Sequence, residues 1–312
     1  MTVHAVLMAL AGLVGLFVGA RALVSGGAGL ALRLGVSPVV VGLTVVAFGT
    51  STPELFVVVS AALEGAPGVS VGNVVGANNL NLGLVLGAAA LVKPLEVHSR
   101  LVRFDVPVMA AATLLLAVML LGQGLSRLDG AILLGCLGAY VAANLRLARE
   151  GHVRDLTLDR GRGRWSMWLD VAMILGGIAV LAGAADLLVS AAVEIATRLD
   201  VSQALIGMTV VAVGTTLPEV VTSLVAVSRG AADLAVGNVV GSNVFNILGI
   251  LGLAGILRPL DVPDVGPQEI GSLLLIAAVA SLVMGRAMRV TRREGALLVA
   301  SYFATLSMAL YF

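Results

Sequence analysis

The stretch VGLTVVAFGTSTPE (41–54) returns 165 residues later as IGMTVVAVGTTLPE (206–219). The same offset carries VGNVVGANNLN (71–81) onto VGNVVGSNVFN (236–246), and Lys93-Pro94-Leu95 onto Arg258-Pro259-Leu260. No gap is needed, and 28 of the 62 positions from 36 to 97 are identical to their counterparts. Chance likeness between apolar segments would not keep Pro, Glu and Asn in register, so the chain is an internal duplication.

What surrounds the duplicated motifs is apolar. Of 312 residues, 59% are hydrophobic and 12% charged, about half the charge of an ordinary soluble domain. The mean hydropathy is +1.06. This composition excludes a soluble enzyme and a disordered chain, and a net charge of +1 gives no footprint for nucleic acid. The single cysteine, Cys136, permits neither an internal disulfide nor a cysteine metal cluster. A β-barrel would alternate over short segments, whereas these apolar runs are continuous over roughly 20 residues. The expected fold class is therefore an all-α polytopic membrane protein.

Ten candidate spans follow from such runs: 3–32, 38–62, 69–92, 104–122, 127–147, 167–198, 203–227, 233–257, 268–286 and 294–311. No cleavable signal is expected, because Met1 to His4 lack a positive n-region and the first run is too long for an h-region. The spans divide into a first five-helix repeat (1–147, motif core 38–92), a linker loop (148–166) and a second repeat (167–312, motif core 203–257). Five is odd, so the two repeats are expected in opposite orientations. Inverted repeats of this kind place a transport site at their interface, near the midplane. With the N-terminus outside, the inside loops hold 15 of the 19 Lys and Arg residues. The positive-inside rule then puts both termini outside the cell membrane.

The polar residues inside the spans point to the chemistry. Glu54 and Glu219 fall within spans two and seven, where a carboxylate costs at least about 2.5 kcal/mol unless it faces a cavity or a cation. Pro53 and Pro218 precede them and remove the helix bonds to the carbonyls of Gly49 and Gly214. Freed carbonyls at that depth are tolerated beside a cavity, and they are good ligands for hard cations. Thr50 and Glu54 share a helix face, with the carbonyl of Ala47 on the same side. Thr215, Glu219 and Ala212 repeat the arrangement, and Ser51 and Thr216 add hydroxyls. Asn81 and Asn246 are read as amide ligands, Asn78 and Asn243 as braces between helices. Gly72, Gly76, Gly237 and Gly241 are expected to allow close helix packing. Arg21 and Asp186, equivalent in the repeat, are read as separate snorkelling groups rather than a pair. The ligand set is all oxygen, which selects Na⁺, Ca²⁺ or Mg²⁺ over zinc or copper.

These paired motifs, GTSTPE with GNVVGANNLN and GTTLPE with GNVVGSNVFN, resemble the two α-repeats of the cation/Ca²⁺ exchanger superfamily, and specifically its prokaryotic Na⁺/Ca²⁺ exchanger branch. The resemblance covers essentially the whole chain. It implies ten helices, with helices two, three, seven and eight forming the ion core and helices one and six sliding across it. It carries metal ligation onto Glu54, Glu219, Thr50, Ser51, Thr215, Thr216, Asn81, Asn246 and Ser242, and onto the carbonyls of Ala47 and Ala212. Ala77 departs from the family's usual serine and loses one hydroxyl. Asn246 is neutral where the K⁺-dependent branch typically carries Asp, which implies K⁺ independence.

The expected function is electrogenic Na⁺/Ca²⁺ antiport by alternating access, with no cofactor and no enzymatic activity. The transported ions and the bilayer are its expected partners, and no obligatory protein partner is evident. Ca²⁺/H⁺ antiport or exchange of another divalent cation is the alternative. An intramembrane hydrolase would need a nucleophile with a base, or a metal-activated water, and no core histidine is present to supply it.

Overall fold

In the computed structural model, residues 3–122, 124–148, 166–198, 212–262 and 265–311 are described. They form helices joined by short turns and two small β ladders. The two longest helices, α1 (Val3–Leu34) and α7 (Ser166–Arg198), pack antiparallel along their length. Gly12, Gly15, Gly19 and Gly26 recur at heptad-like spacing and line one face of α1. A Cβ on Gly15 would lie 2.7 Å from Cβ of Ala184, and one on Gly26 would lie 2.6 Å from the carbonyl of Asp170. Small residues thus bring the two backbones together, the usual means of close helix contact in lipid.

One end of this pair is clamped by charge. Nε of Arg33 lies 2.5 Å from Oδ2 of Asp170, which is only 2% exposed. The carboxylate fills the notch left by Gly29, where a Cβ would sit 2.5 Å from Oδ1. Arg33→Met strands a buried carboxylate. It is expected to cost about 1–2 kcal/mol, discounted because the Arg33 side chain is 23% exposed, and to lower the thermal midpoint in detergent.

The span expected at 38–62 is broken. Helix α2 (Pro38–Thr50) and helix α3 (Thr52–Glu64) meet at an angle of 48°. Ser51 has left the helical region (φ −79°, ψ 9°), and Pro53 stands at the start of α3, so the lost helix bond becomes a bend. Two further helices form the buried centre: α4 (Pro67–Val92) and α10 (Ala232–Leu257). Of their apolar windows 78% and 83% is buried, against 28% in α1 and α7. Each widens into a π turn, at Asn81–Val85 and Phe245–Leu251. Around them lie α5 (Leu101–Leu120), α6 (Arg127–Ala148), α8 (Ala212–Thr215), α9 (Leu217–Ser228), α11 (Pro267–Ala287) and α12 (Arg292–Tyr311). Among the described residues seven helices are long and apolar enough to cross a membrane, or eight with α2 and α3 as one span. Residues 203–211 of the expected seventh span lie outside the described residues.

The loops interlock the halves. Strand β1 (Leu95–Glu96) pairs antiparallel with β4 (Arg289–Val290), and β2 (Gly124–Leu125) pairs with β3 (Leu260–Asp261). The register Leu95↔Val290 becomes Leu260↔Leu125 under the 165-residue shift. Each pairing joins one half to the other. Helices α5 and α6 are tied by buried Asp105, which accepts from the Tyr140 hydroxyl at 3.0 Å and from Nδ2 of Asn144 at 3.3 Å.

The glycine expectation divides. A Cβ on Gly237 would be 2.8 Å from the carbonyl of Val39, and one on Gly241 would be 2.6 Å from that of Leu43, so α10 packs directly on α2. Gly72 and Gly76 have nothing within 4 Å among the described residues. The repeat counterparts of Gly42 and Leu43 are Gly207 and Met208, outside the described residues. Arg21 and Asp186 are both exposed, as expected for separate groups.

Candidate functional site: a buried oxygen cluster

Two helix breaks face two unbroken helices at the centre of the molecule. Helices α2 and α8 end in Thr50 and Thr215, and α3 and α9 then start at Thr52 and Leu217. Glu54 and Glu219 therefore sit in first turns, where unpaired N–H groups favour negative charge. The ends of α2 and α8 bring the opposite polarity, that of carbonyls, which suits a cation. Both carboxylates are fully buried, as are Thr50, Ser51, Thr216, Asn81, Ser242 and Asn246, while Thr215 is 8% exposed. Ala47 is buried. Of Ala212 only its place at the head of α8 is described.

The hydrogen bonds cross between the halves. The Ser51 hydroxyl donates to Oε1 of Glu219 at 3.0 Å, and the Thr216 hydroxyl donates to Oε1 of Glu54 at 3.2 Å. One bond is the other shifted by 165 residues. Thr50 and Ser242 also face Glu219, and Thr215 faces Glu54. Glu219 is thus served by Thr50 and Ser51 of the other half together with Ser242 of its own, and Glu54 by Thr215 and Thr216 of the other half, so neither half alone builds the site.

Helices α4 and α10 close it from the other side. Nδ2 of Asn246 donates to Oδ1 of Asn78 at 3.0 Å, and Nδ2 of Asn78 donates to the carbonyl of Asn243 at 3.3 Å. Asn243 in turn donates to the carbonyl of Val239 at 2.8 Å. Asn78 therefore braces the two helices as expected, whereas the Asn243 side chain bonds back within α10 and Asn243 takes part only through its main-chain carbonyl. This bracing spends the amide nitrogen of Asn246 and leaves its oxygen over.

A set of buried oxygens accepts no hydrogen bond: Oε2 of Glu54, Oε2 of Glu219, Oδ1 of Asn81, Oδ1 of Asn246 and Oγ of Ser242. A buried polar atom without a partner costs about 1–3 kcal/mol, more when charged. Five such atoms on four helices, around two carboxylates, match the donor set of a hard cation. Ala77, also buried, brings no hydroxyl to this group.

Several polar residues here escaped the sequence reading. Asn238 Oδ1 accepts from the Thr50 hydroxyl at 3.1 Å, and its Nδ2 donates to Oγ of Ser223 at 3.2 Å. Thr222, one turn beyond Glu219, is fully buried with an unpartnered hydroxyl. A signal for Asn238 was present, since it is duplicated as Asn73. Thr222 and Ser223 have valines as counterparts, Val57 and Val58, and gave no repeat signal.

A helical membrane protein that buries a paired-carboxylate oxygen cluster at the meeting of two broken helices has the donor chemistry that suits a hard cation. The sequence pattern of the family described as sodium/calcium exchanger protein matches residues 4–146 and 169–311, and the chain belongs to this family, whose members are transporters. The inner membrane protein YrbG of Escherichia coli is 32% identical over 287 residues, covering 88% of this chain and 87% of YrbG. The sodium/calcium exchanger MaX1 of Methanosarcina acetivorans is 31% identical over 345 residues, covering 98% of each chain. A solved structure of the sodium-calcium exchanger NCX_Mj, soaked with Na⁺ and Ca²⁺, superposes with a TM-score of 0.86 at 31% identity, covering 98% of this chain and 99% of that one.

Proposed function

We propose that this chain is a secondary active antiporter that exchanges Na⁺ for Ca²⁺ across the cell membrane by alternating access. Its ligands in this reading are Glu54, Glu219, Thr50, Ser51, Thr215, Thr216, Asn81, Ser242 and Asn246, with the carbonyls of Ala47 and Ala212. The observation that carries the reading is the pair of buried glutamates, each keeping one oxygen without a partner.

Two carboxylates balance one Ca²⁺. Na⁺ ions compete for the same oxygens, and this competition couples the two fluxes. More than two Na⁺ per Ca²⁺ makes the exchange electrogenic. Asn246 is neutral where the K⁺-dependent branch typically carries Asp, so transport in this reading is K⁺-independent. Ten spans in two inverted five-helix repeats, 1–147 and 167–312 about the loop 148–166, with both termini outside, are the topology of this reading.

The α1–α7 pair is the moving part. Its Ile178 lies where a Cβ on Gly49 would be 2.4 Å from Cδ1, and its Val189 lies where one on Gly214 would be 2.0 Å from Cγ2. Both glycines immediately precede a ligand threonine. An apolar helix face cannot pass cheaply over two bare carboxylates. Ion binding neutralises them and lets the pair slide, so the empty carrier does not dissipate the gradients.

Reconstitution in Na⁺-loaded liposomes tests the reading. Dilution into Na⁺-free medium is expected to drive uptake of labelled Ca²⁺, to respond to a K⁺-diffusion potential and to vanish when the Na⁺ gradient is collapsed. Uptake driven by a pH gradient alone would sink it in favour of Ca²⁺/H⁺ exchange.

A further inference from the structure

We propose that Asn238 is a positioning residue that disposes of the Thr50 hydroxyl proton, and that Ser223 fixes Asn238 in the orientation this requires. The proposal rests on the exchanger reading and adds to it an inequality between the two halves of the site.

A threonine hydroxyl carries one proton and two lone pairs. The Thr50 hydroxyl faces the Glu219 carboxylate, and two neutral acceptors lie within hydrogen-bond reach of it: Oδ1 of Asn238 at 3.1 Å and the carbonyl of Ala47 at 3.3 Å. The choice matters for a cation. If the proton points at Ala47, it covers a carbonyl that already accepts the Ser51 N–H at 3.0 Å. That carbonyl is then saturated, and a positive hydrogen lies beside the cation's place. If the proton goes to Asn238, the second lone pair of Ala47 and the lone pairs of Thr50 are left together for one ion.

The orientation of Asn238 makes the choice. Its Nδ2 donates to Oγ of Ser223 at 3.2 Å, which turns Oδ1 toward Thr50. All three residues are fully buried, so no water competes. With the amide reversed, Nδ2 would face Thr50, occupy one of its lone pairs and send its proton back to Ala47.

The other half lacks this relay. Asn73 is the counterpart of Asn238, but Val58 stands in place of Ser223. Oδ1 of Asn73 is buried and accepts no hydrogen bond, so it does not take the proton of Thr215. Of the two sides, the Ala47–Thr50 side is therefore the one that carries the Asn–Ser relay. Its two oxygens are neutral, which suits a monovalent ion, whereas a divalent ion draws chiefly on the carboxylates.

The test measures two transport modes in the same proteoliposomes, for wild type, Ser223→Ala and Asn238→Ala. One is Na⁺-driven Ca²⁺ release as a function of external Na⁺; the other is Ca²⁺–Ca²⁺ exchange without Na⁺. Loss of one net hydrogen bond predicts a rise of about three- to tenfold in half-saturating Na⁺. Ca²⁺–Ca²⁺ exchange should change by less than about twofold. An unmoved Na⁺ half-saturation in Ser223→Ala, or an equal fall in both modes, overturns the positioning role. If Asn238→Ala fails to insert, Ser223→Ala decides, because it removes only one oxygen. A wild type without Na⁺-driven Ca²⁺ movement would instead overturn the exchanger reading itself.

Discussion

Glu54→Gln and Glu219→Gln should each abolish Na⁺-driven Ca²⁺ uptake while leaving the protein folded. The substitution keeps the size of the side chain and the oxygen that receives the cross-half hydroxyl bond. It removes one of two charges and turns an N–H₂ donor toward a place now lined by unpartnered oxygens. A unit charge at ligand distance is worth several kcal/mol even at an effective dielectric of about 20. That is a loss of about a hundredfold or more in Ca²⁺ affinity. Stability should move the other way. Two fully buried carboxylates in the ion-free protein repel one another and are costly to desolvate, and an amide relieves both penalties. Unfolding in detergent without Ca²⁺ is thus expected at the wild-type temperature or above, and the stabilising shift on adding Ca²⁺ should be lost. Wild-type flux in either variant would remove that glutamate from the site.

Gly241→Val should lose transport for a different reason. A Cβ at this position would lie 2.6 Å from the Leu43 carbonyl oxygen, 2.7 Å from its Cα and 2.8 Å from Cβ of Ala47. The first two are backbone atoms and cannot rotate aside. Helix α10 must then move off α2, separating Ala47 and Thr50 from Ser242 and Asn238. Overpacking of this kind costs about 1–3 kcal/mol. Displacement of ligands by an ångström is expected to lower uptake by about tenfold or more. Gly138→Ala is the control, since nothing lies within 4 Å of its Cβ position on α6 and both uptake and stability should be unchanged. Equal behaviour of the two variants would mean that the α2–α10 contact does not hold the site.

Much of this protein was legible in one dimension because the membrane restricts what a polar residue can do. Apolar runs of spanning length read as helices, since lipid leaves the backbone no other partner. Glu54 and Glu219 stood out against that background, and the 165-residue repeat separated them and their neighbouring hydroxyls from isolated accidents. Pro53 marked the break in its helix, which the structure gives as a 48° bend.

The partners of those residues were a tertiary matter. Nothing in a local pattern says that Ser51 serves Glu219 rather than Glu54, three residues away in its own half. Asn78 against Asn246, Thr50 against Asn238 and Arg33 against Asp170 are likewise contacts across more than a hundred residues. Each depends on how rigid helices dock, through glycines such as Gly26 and Gly241 whose close contacts appear only when the facing backbone is in place. The sequence by itself determined which groups lie in the membrane and that they come in two related sets. Only the tertiary structure decided which set completes the other, because a buried hydroxyl bonds to whatever acceptor the packing of helices brings within three ångströms, however distant in the chain.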